Sequence, residues 1–174
     1  MCIRDRLPRE QLDLLGMLGL LQDVGMTAVP EEVVEKKGAL SKPELMVCRS
    51  HIAHSVAILK ETPGLPPELP ELAALHHERY DGSGYPKGLK GDQIGLFGSI
   101  AGLVDCFDAM THPRSYAEVY SPSNALNHLY NTRNVQFDGP LVEQFVQCIG
   151  IFPVGALVEL NSGEIGIVIA QNLV

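Results

Sequence analysis

The stretch His76-His77-Glu78-Arg79-Tyr80-Asp81-Gly82-Ser83-Gly84-Tyr85-Pro86-Lys87-Gly88-Leu89 decides how the rest of the chain is read. It joins two adjacent histidines and two acids to a segment with three glycines and one proline. Imidazoles and carboxylates are ligands for divalent transition metals. Glycine lets a backbone come close to a ligand or turn through positive φ. The expectation is one wall of a metal site with a substrate lip attached; for this stretch alone, a polar surface turn is the plain alternative. A short helix over 71–78 is expected to end in the histidine pair. Adjacent helical residues point about 100° apart, so His76 and His77 would serve two metals, or a metal and a phosphate.

Upstream, leucines recur at helical steps from Leu12, and the run 14–21 carries no charge, so a helix covered on most sides is expected there. It should stop near Gly25, which leaves Gln22 and Asp23 at its last turn. The helix dipole opposes a carboxylate at that end; solvent or a metal would relieve it. Residues 27–30 read as extended, with a short helical start at Glu31-Glu32. Ser41 and Glu44 form a capping-box pattern for one helix running through His51, His54 and Leu59. Five prolines and glycines between Pro63 and Pro70 mark a rigid loop.

Downstream, a helix over 97–110 is expected, with Ile100, Leu103, Val104 and Phe107 in the core. Asp105 lies in that nearly uncharged segment, and a buried carboxylate needs a partner; Asp108 reads as a solvated acid. Residues 111–120 form a polar loop, and Ser121-Pro122 opens the next helix. A last helix covers 141–149. Two apolar runs around Asn161-Ser162-Gly163-Glu164 then read as a β-hairpin. Residues 1–8 match no pattern that follows and are expected to be a non-native start. The helical domain is expected over 9–150, with 151–174 as a small, truncated hairpin extension.

The bulk numbers fit one globular domain: 174 residues, 45% hydrophobic and 20% charged. Net charge is −8 and no Lys/Arg-rich run exists, which argues against a nucleic-acid polymer as partner. No apolar run is long enough to span a bilayer and no signal peptide is visible. The four cysteines form no CxxC pair and are expected to be reduced, mostly buried thiols of a cytoplasmic protein.

The string over 76–89 closely resembles the signature of HD-GYP domains, a subfamily of the HD-superfamily metal-dependent phosphohydrolases. The resemblance runs from about Leu12 to Ile149 and includes Leu21-Gln22-Asp23-Val24-Gly25, Arg49-Ser50-His51, residues 105–111 and Gln136-Phe137-Asp138. It implies a mainly α fold, an HD-superfamily helical bundle followed here by the short C-terminal β-hairpin. It further implies hydrolysis of cyclic di-GMP to linear pGpG or GMP with divalent metal ions, usually iron or manganese, two in the intact site. Carried over by residue, Asp23 would be catalytic and a metal ligand, with His51, His76, His77 and Asp105 as further ligands. Arg79, Asp81, Gly84, Tyr85, Pro86 and Arg114 would meet substrate. An upstream sensory or regulatory domain and a GGDEF-type partner are expected.

The sequence departs from the pattern at several positions. The histidine of the His-Asp doublet is Gln22, an expected lysine is Met26, and a further basic position is Ala117. An earlier helix supplying a Glu and a His is expected in the family, and no histidine precedes Leu12 here. The alternative function is therefore a catalytically degenerate domain that senses cyclic di-GMP or docks to a protein.

Overall fold

The computed structural model describes residues 7–112, 119–150, 152 and 154–170. The fold is mainly helical. In chain order it contains α1 (Arg9–Leu21), a 3₁₀ turn (Val24–Ala28), α2 (Glu31–Val34), α3 (Lys42–Arg49), α4 (His51–Glu61) and α5 (Leu69–Ala73). A second 3₁₀ turn (Gly91–Gln93), α6 (Gly95–Thr111), α7 (Pro122–Asn131) and α8 (Gly139–Ile149) follow. Strands β1 (Leu157–Glu159) and β2 (Ile165–Ile167) close the chain as an antiparallel hairpin with Val158 opposite Gly166. Among the described residues, no helix is long and apolar enough to cross a membrane.

Local chemistry starts the helices where the sequence suggests. Ser41 and Glu44 make the capping box of α3, the Ser121 hydroxyl accepts from the Asn124 amide at α7, and Asp138 accepts from the Leu141 amide at α8. Two apolar clusters then fix the helices. Leu14 and Leu18 of α1 pack with Leu59, Leu69, Ala73 and Ala101. Leu103 packs with Leu129, Phe137, Leu141 and Val142. Helix α6 contributes to both, through Ala101 and Leu103, and so joins the two halves of the bundle.

Several boundaries differ from the sequence expectation. Helix α1 is covered on one side only: Leu14 and Leu18 are buried, but Leu20 is 84% exposed. Its uncharged outer face comes partly from Gly16 and Gly19, which add no polarity but bury nothing. Residues 27 and 28 belong to the 3₁₀ turn rather than an extended segment, since Met26 donates to the Asp23 carbonyl and Val29 to that of Met26. The helix expected from Ser41 to Leu59 breaks at Ser50, whose hydroxyl donates to the Val47 carbonyl at 2.6 Å and competes with the helical ladder. Helix α5 stops at Ala73, so the histidine pair sits on tight turns beyond it. Val104 is exposed rather than in the core. Cys148 is exposed and Cys48 and Cys106 are half-buried, against the expectation of mostly buried thiols.

One contact seats the end of α1 on α4. The fully buried Ser55 hydroxyl donates to the Gln22 carbonyl at 2.7 Å and accepts from the Gly25 amide at 2.8 Å. A Cβ on Gly25 would overlap the His51 carbonyl oxygen and the Ser55 amide nitrogen, so only glycine fits. Gly25→Ala is expected to destabilise by about 1–3 kcal/mol through overpacking. Ser55→Ala, which strands a buried donor and acceptor, should cost a similar amount, about 1–3 kcal/mol. Urea denaturation checks both; unchanged midpoints would dismiss the clamp.

Candidate metal centre

The clamp delivers Asp23 to the first residue of α4. Asp23 Oδ1 lies 3.3 Å from His51 Nε2 and 3.4 Å from His76 Nε2. His76 and His77 arrive on the turn after α5, which α6 can approach closely because Gly102 faces the His76 carbonyl; a Cβ there would sit 2.6 Å from that oxygen. His77 Nδ1 lies 3.6 Å from Asp105 Oδ2 of α6. One ligand atom from each of Asp23, His51, His76 and His77 falls within 4.8 Å of the others. Four of the five expected ligands thus form one cluster, and Asp105 adjoins it through His77. His54, one turn beyond His51, is outside it.

The donor set fits a divalent cation. His51 Nδ1 lies 2.7 Å from the Cys48 carbonyl and His76 Nδ1 lies 2.7 Å from that of Ala73. A carbonyl only accepts, so each Nδ1 carries the proton and each Nε2 presents a lone pair, the arrangement common to metal-binding histidines. Both Nε2 atoms are buried and lack a directed hydrogen bond. Such atoms are costly unless something coordinates them. Three imidazoles and a carboxylate suit iron, zinc or manganese.

Without a cation, burial opposes ionisation of Asp23, but a hydrogen bond from His76 and the charge of protonated His76, His51 and His77 hold its carboxyl below the usual range; a bound cation would supply that positive charge with the imidazoles neutral. Burial, reinforced by His76, His51 and Arg79, pushes His77 down to about 2, so it is a neutral ligand at physiological pH.

The glycine-rich lip is built around Glu78. Its buried carboxylate accepts from the Lys87 amide at 2.7 Å and the Leu89 amide at 2.9 Å, which folds 82–89 back over the turn. Gly84 lies so close to the backbone of residues 77–79 that a Cβ would overlap it, and the Tyr85 amide donates to the His77 carbonyl. The Tyr85 ring stacks on His77 with centroids 4.7 Å apart, and burial raises its phenol pKa. Pro86 follows on the same lip. Arg79 points inward, donating to the His76 and Glu78 carbonyls. Asp81 caps the Ser83 amide at the exposed tip. Arg114 and Ala117 lie outside the described residues.

Two features were not singled out from sequence. Glu78 offers only an acid beside the histidines as a signal. Arg49, whose guanidinium lies 4.4 Å from the Tyr85 ring centre, offers none, because its partner is 36 residues away.

Residues 1–141 match the family described as the HD domain. The chain belongs to this family. It is 36% identical over 90% of its length to a cyclic di-GMP phosphodiesterase of Pseudomonas aeruginosa, covering 38% of that protein. It is 36% identical over 81% of its length to a cyclic di-GMP phosphodiesterase response regulator of Xanthomonas campestris, again covering 38% of it. A 3′3′-cGAMP-specific phosphodiesterase of Vibrio cholerae is 33% identical over 81% of the chain, which covers 27% of that relative. The chain therefore spans well under half the length of these curated relatives. As an HD domain it is expected to depend on divalent metal, and the Asp–His cluster is where this chain could hold it.

Added Mn²⁺ or Zn²⁺ is expected to raise the melting temperature of chelator-treated protein. His76→Ala should abolish the rise, and a rise that survives in that variant would place the ion elsewhere. The metal-free protein should also lose stability in acid. His77 has a folded pKa depressed below its unfolded value near 6.5, so its contribution is present above that pH. It fades as pH falls from about 6.5 toward 2, before the Asp23 contribution begins to be lost below its ordinary carboxylate value. Thermal melts in chelator across this range test the sign; a melting temperature that rises on acidification would contradict it.

Proposed function

We propose that this chain is a metal-dependent phosphodiesterase that hydrolyses cyclic di-GMP to linear pGpG or GMP. The observation that carries this is the convergence of Asp23, His51, His76 and His77, with two buried imidazole Nε2 atoms facing the Asp23 carboxylate. The names of the relatives support the substrate class. Bound divalent ions would supply Lewis-acid stabilisation of the charge that develops on the phosphate. His51, His76, His77, Asp23 and Asp105 would hold them, and Asp23 is proposed as the catalytic carboxylate as well.

The remaining roles belong to the chain's own lip. Tyr85, whose ring lies against both His77 and the Arg49 guanidinium, is held beside the histidine cluster as a proposed substrate contact. Its phenol, kept protonated by burial, can donate a hydrogen bond. Gly84 and Pro86 set the position of this ring beside the histidines, and Glu78 and Arg79 keep the lip in place. Asp81 at the tip and Arg114 are proposed as substrate contacts, Arg114 gripping phosphate oxygens as a fork. We place the activity in the cytoplasm, under an upstream sensory or regulatory domain and alongside a GGDEF-type partner.

Gln22 and Met26 favour a second reading, binding of the nucleotide without turnover, since an imidazole and a cation are both replaced on one short segment. Incubation of Mn²⁺-loaded protein with cyclic di-GMP, and with 3′3′-cGAMP in parallel, separates the two. Release of pGpG or GMP is expected, slowed at least about tenfold by His76→Ala and accelerated by Gln22→His with Met26→Lys. Saturable binding without product would select the sensor, and neither binding nor product would discard both readings.

A further inference from the structure

Among the described residues, the arginines other than Arg49 have their guanidinium groups engaged. Arg9 pairs with Asp13, and Arg79 donates to the His76 and Glu78 carbonyls. Arg133 pairs with Glu143 and donates to the Tyr130 carbonyl. Arg49 is exposed, and among the described residues no carboxylate pairs with it and no acceptor takes its N–H groups. What it does meet is the Tyr85 ring, whose centre lies 4.4 Å from the guanidinium carbon. A cation–π contact consumes no N–H as a hydrogen bond. The planar fork of arginine, with its donors in fixed directions, is thus left for a ligand.

Arg49 is tied to the histidine cluster at both ends. It is the last residue of α3, where the negative end of the helix favours a cation. The Cys48 carbonyl, which shares a peptide unit with the Arg49 amide, lies 2.7 Å from His51 Nδ1. On its other side the Ser50 hydroxyl donates to the Val47 carbonyl. The guanidinium rests on the same Tyr85 ring that stacks on His77 with centroids 4.7 Å apart. The chain carries a net charge of −8, and Asp23 and Asp105 bring carboxylates to the cluster itself. An anionic substrate approaching this face meets a cation at Arg49 that no acid of the described protein offsets.

We infer that Arg49 is a substrate-binding residue whose guanidinium takes a phosphodiester of the cyclic dinucleotide through two parallel hydrogen bonds. A cyclic dinucleotide carries two phosphodiesters on one ring. The histidine cluster is the place for the one that is cleaved, and Arg49, one aromatic ring removed, holds the other. The Tyr85 ring serves as a bed for the guanidinium, so less side-chain freedom is lost when substrate arrives. Arginine suits the task because its fork matches phosphate oxygens and it stays charged at physiological pH. This rests on the proposed phosphodiesterase function and adds a residue that recognises the charge of its substrate.

Mn²⁺-loaded wild type and variants are compared on cyclic di-GMP and on 3′3′-cGAMP at low and moderate ionic strength. KM and kcat are read where product forms, and Kd by calorimetry where it does not. Arg49→Met should raise KM or Kd about tenfold or more, with kcat held within about twofold. It should weaken both nucleotides alike and flatten the salt dependence of binding. Arg49→Lys should keep the salt dependence, with an affinity between the other two. Lys60→Met, which removes a cation from the exposed Lys60–Glu71 pair, should change none of these values. Mn²⁺ binding and the melting temperature of Arg49→Met should match wild type. Turnover by Arg49→Met at the wild-type KM, or a fall in kcat alone, overturns the inference and leaves the proposed function standing. Binding by wild type without product, weakened in Arg49→Met, sustains the inference and removes the enzyme reading. A loss confined to one nucleotide would mean base reading, and an equal loss in Lys60→Met general electrostatics. A lower melting temperature or weaker Mn²⁺ binding would mean a structural role, as would a loss in Arg49→Lys as complete as in Arg49→Met. Each of these overturns the inference. Wild type that gives neither binding nor product overturns it together with the proposed function.

Discussion

The hydroxyl of Ser55 sets the geometry of the site from outside it. It donates to the carbonyl of Gln22, the residue that follows α1, and accepts from the Gly25 amide of the turn beyond. Helix ends leave such groups unpaired, and here one side chain from a neighbouring helix satisfies two of them in a buried setting. The result is positional. Asp23 has no side-chain hydrogen bond to its own helix, and its place beside His51 follows from the backbone on either side of it being held to α4. Glycine at 25 is the condition for that contact, because the two backbones touch with no room for a side chain.

The second wall is held by different means. Glu78 folds the lip by accepting two amides from a segment nine and eleven residues away. Gly98 and Gly102 let α6 come against Leu75 and the His76 carbonyl. Helix α6 thereby brings Asp105 to His77 while also anchoring the second apolar cluster. The site therefore lies where α1, α4, the turn after α5, and α6 meet, and loosening either half of the bundle would reach it.

The sequence was most legible where the chemistry is local. Ser41, Ser121 and Asp138 announce their helices, the Asn161–Glu164 turn announces the hairpin, and His76–Leu89 is dense enough in unusual residues to announce a site. Asp23, His51, His76 and His77 could be named as a set only through family resemblance, since nothing in their spacing says that they meet. The break at Ser50 was hidden because its cause is a single hydroxyl competing with the helical ladder. The exposure of Leu20 and Val104 was hidden because apolar patterning reports what could be buried, not what other element arrives to cover it. Arg49 and Ser55 act on residues about thirty or more positions away, a distance over which sequence carries no contact information. Gln22 was legible as a departure from the family pattern, but the burial of its side-chain oxygen without a partner was not.

His51 and His76 use the same device: each ring donates Nδ1 to the carbonyl three residues before it. That carbonyl belongs to the ring's own local turn, so the ring's orientation is written into the backbone rather than imposed by whatever it binds. For the kinetics of ion capture this means that neither imidazole has to search rotamers or exchange tautomers when a cation arrives. The slow step is then left to dehydration of the ion, which differs widely among divalent metals. A cell's supply of fast-exchanging ions would in that case shape which metal first fills the site, before equilibrium preference has its say.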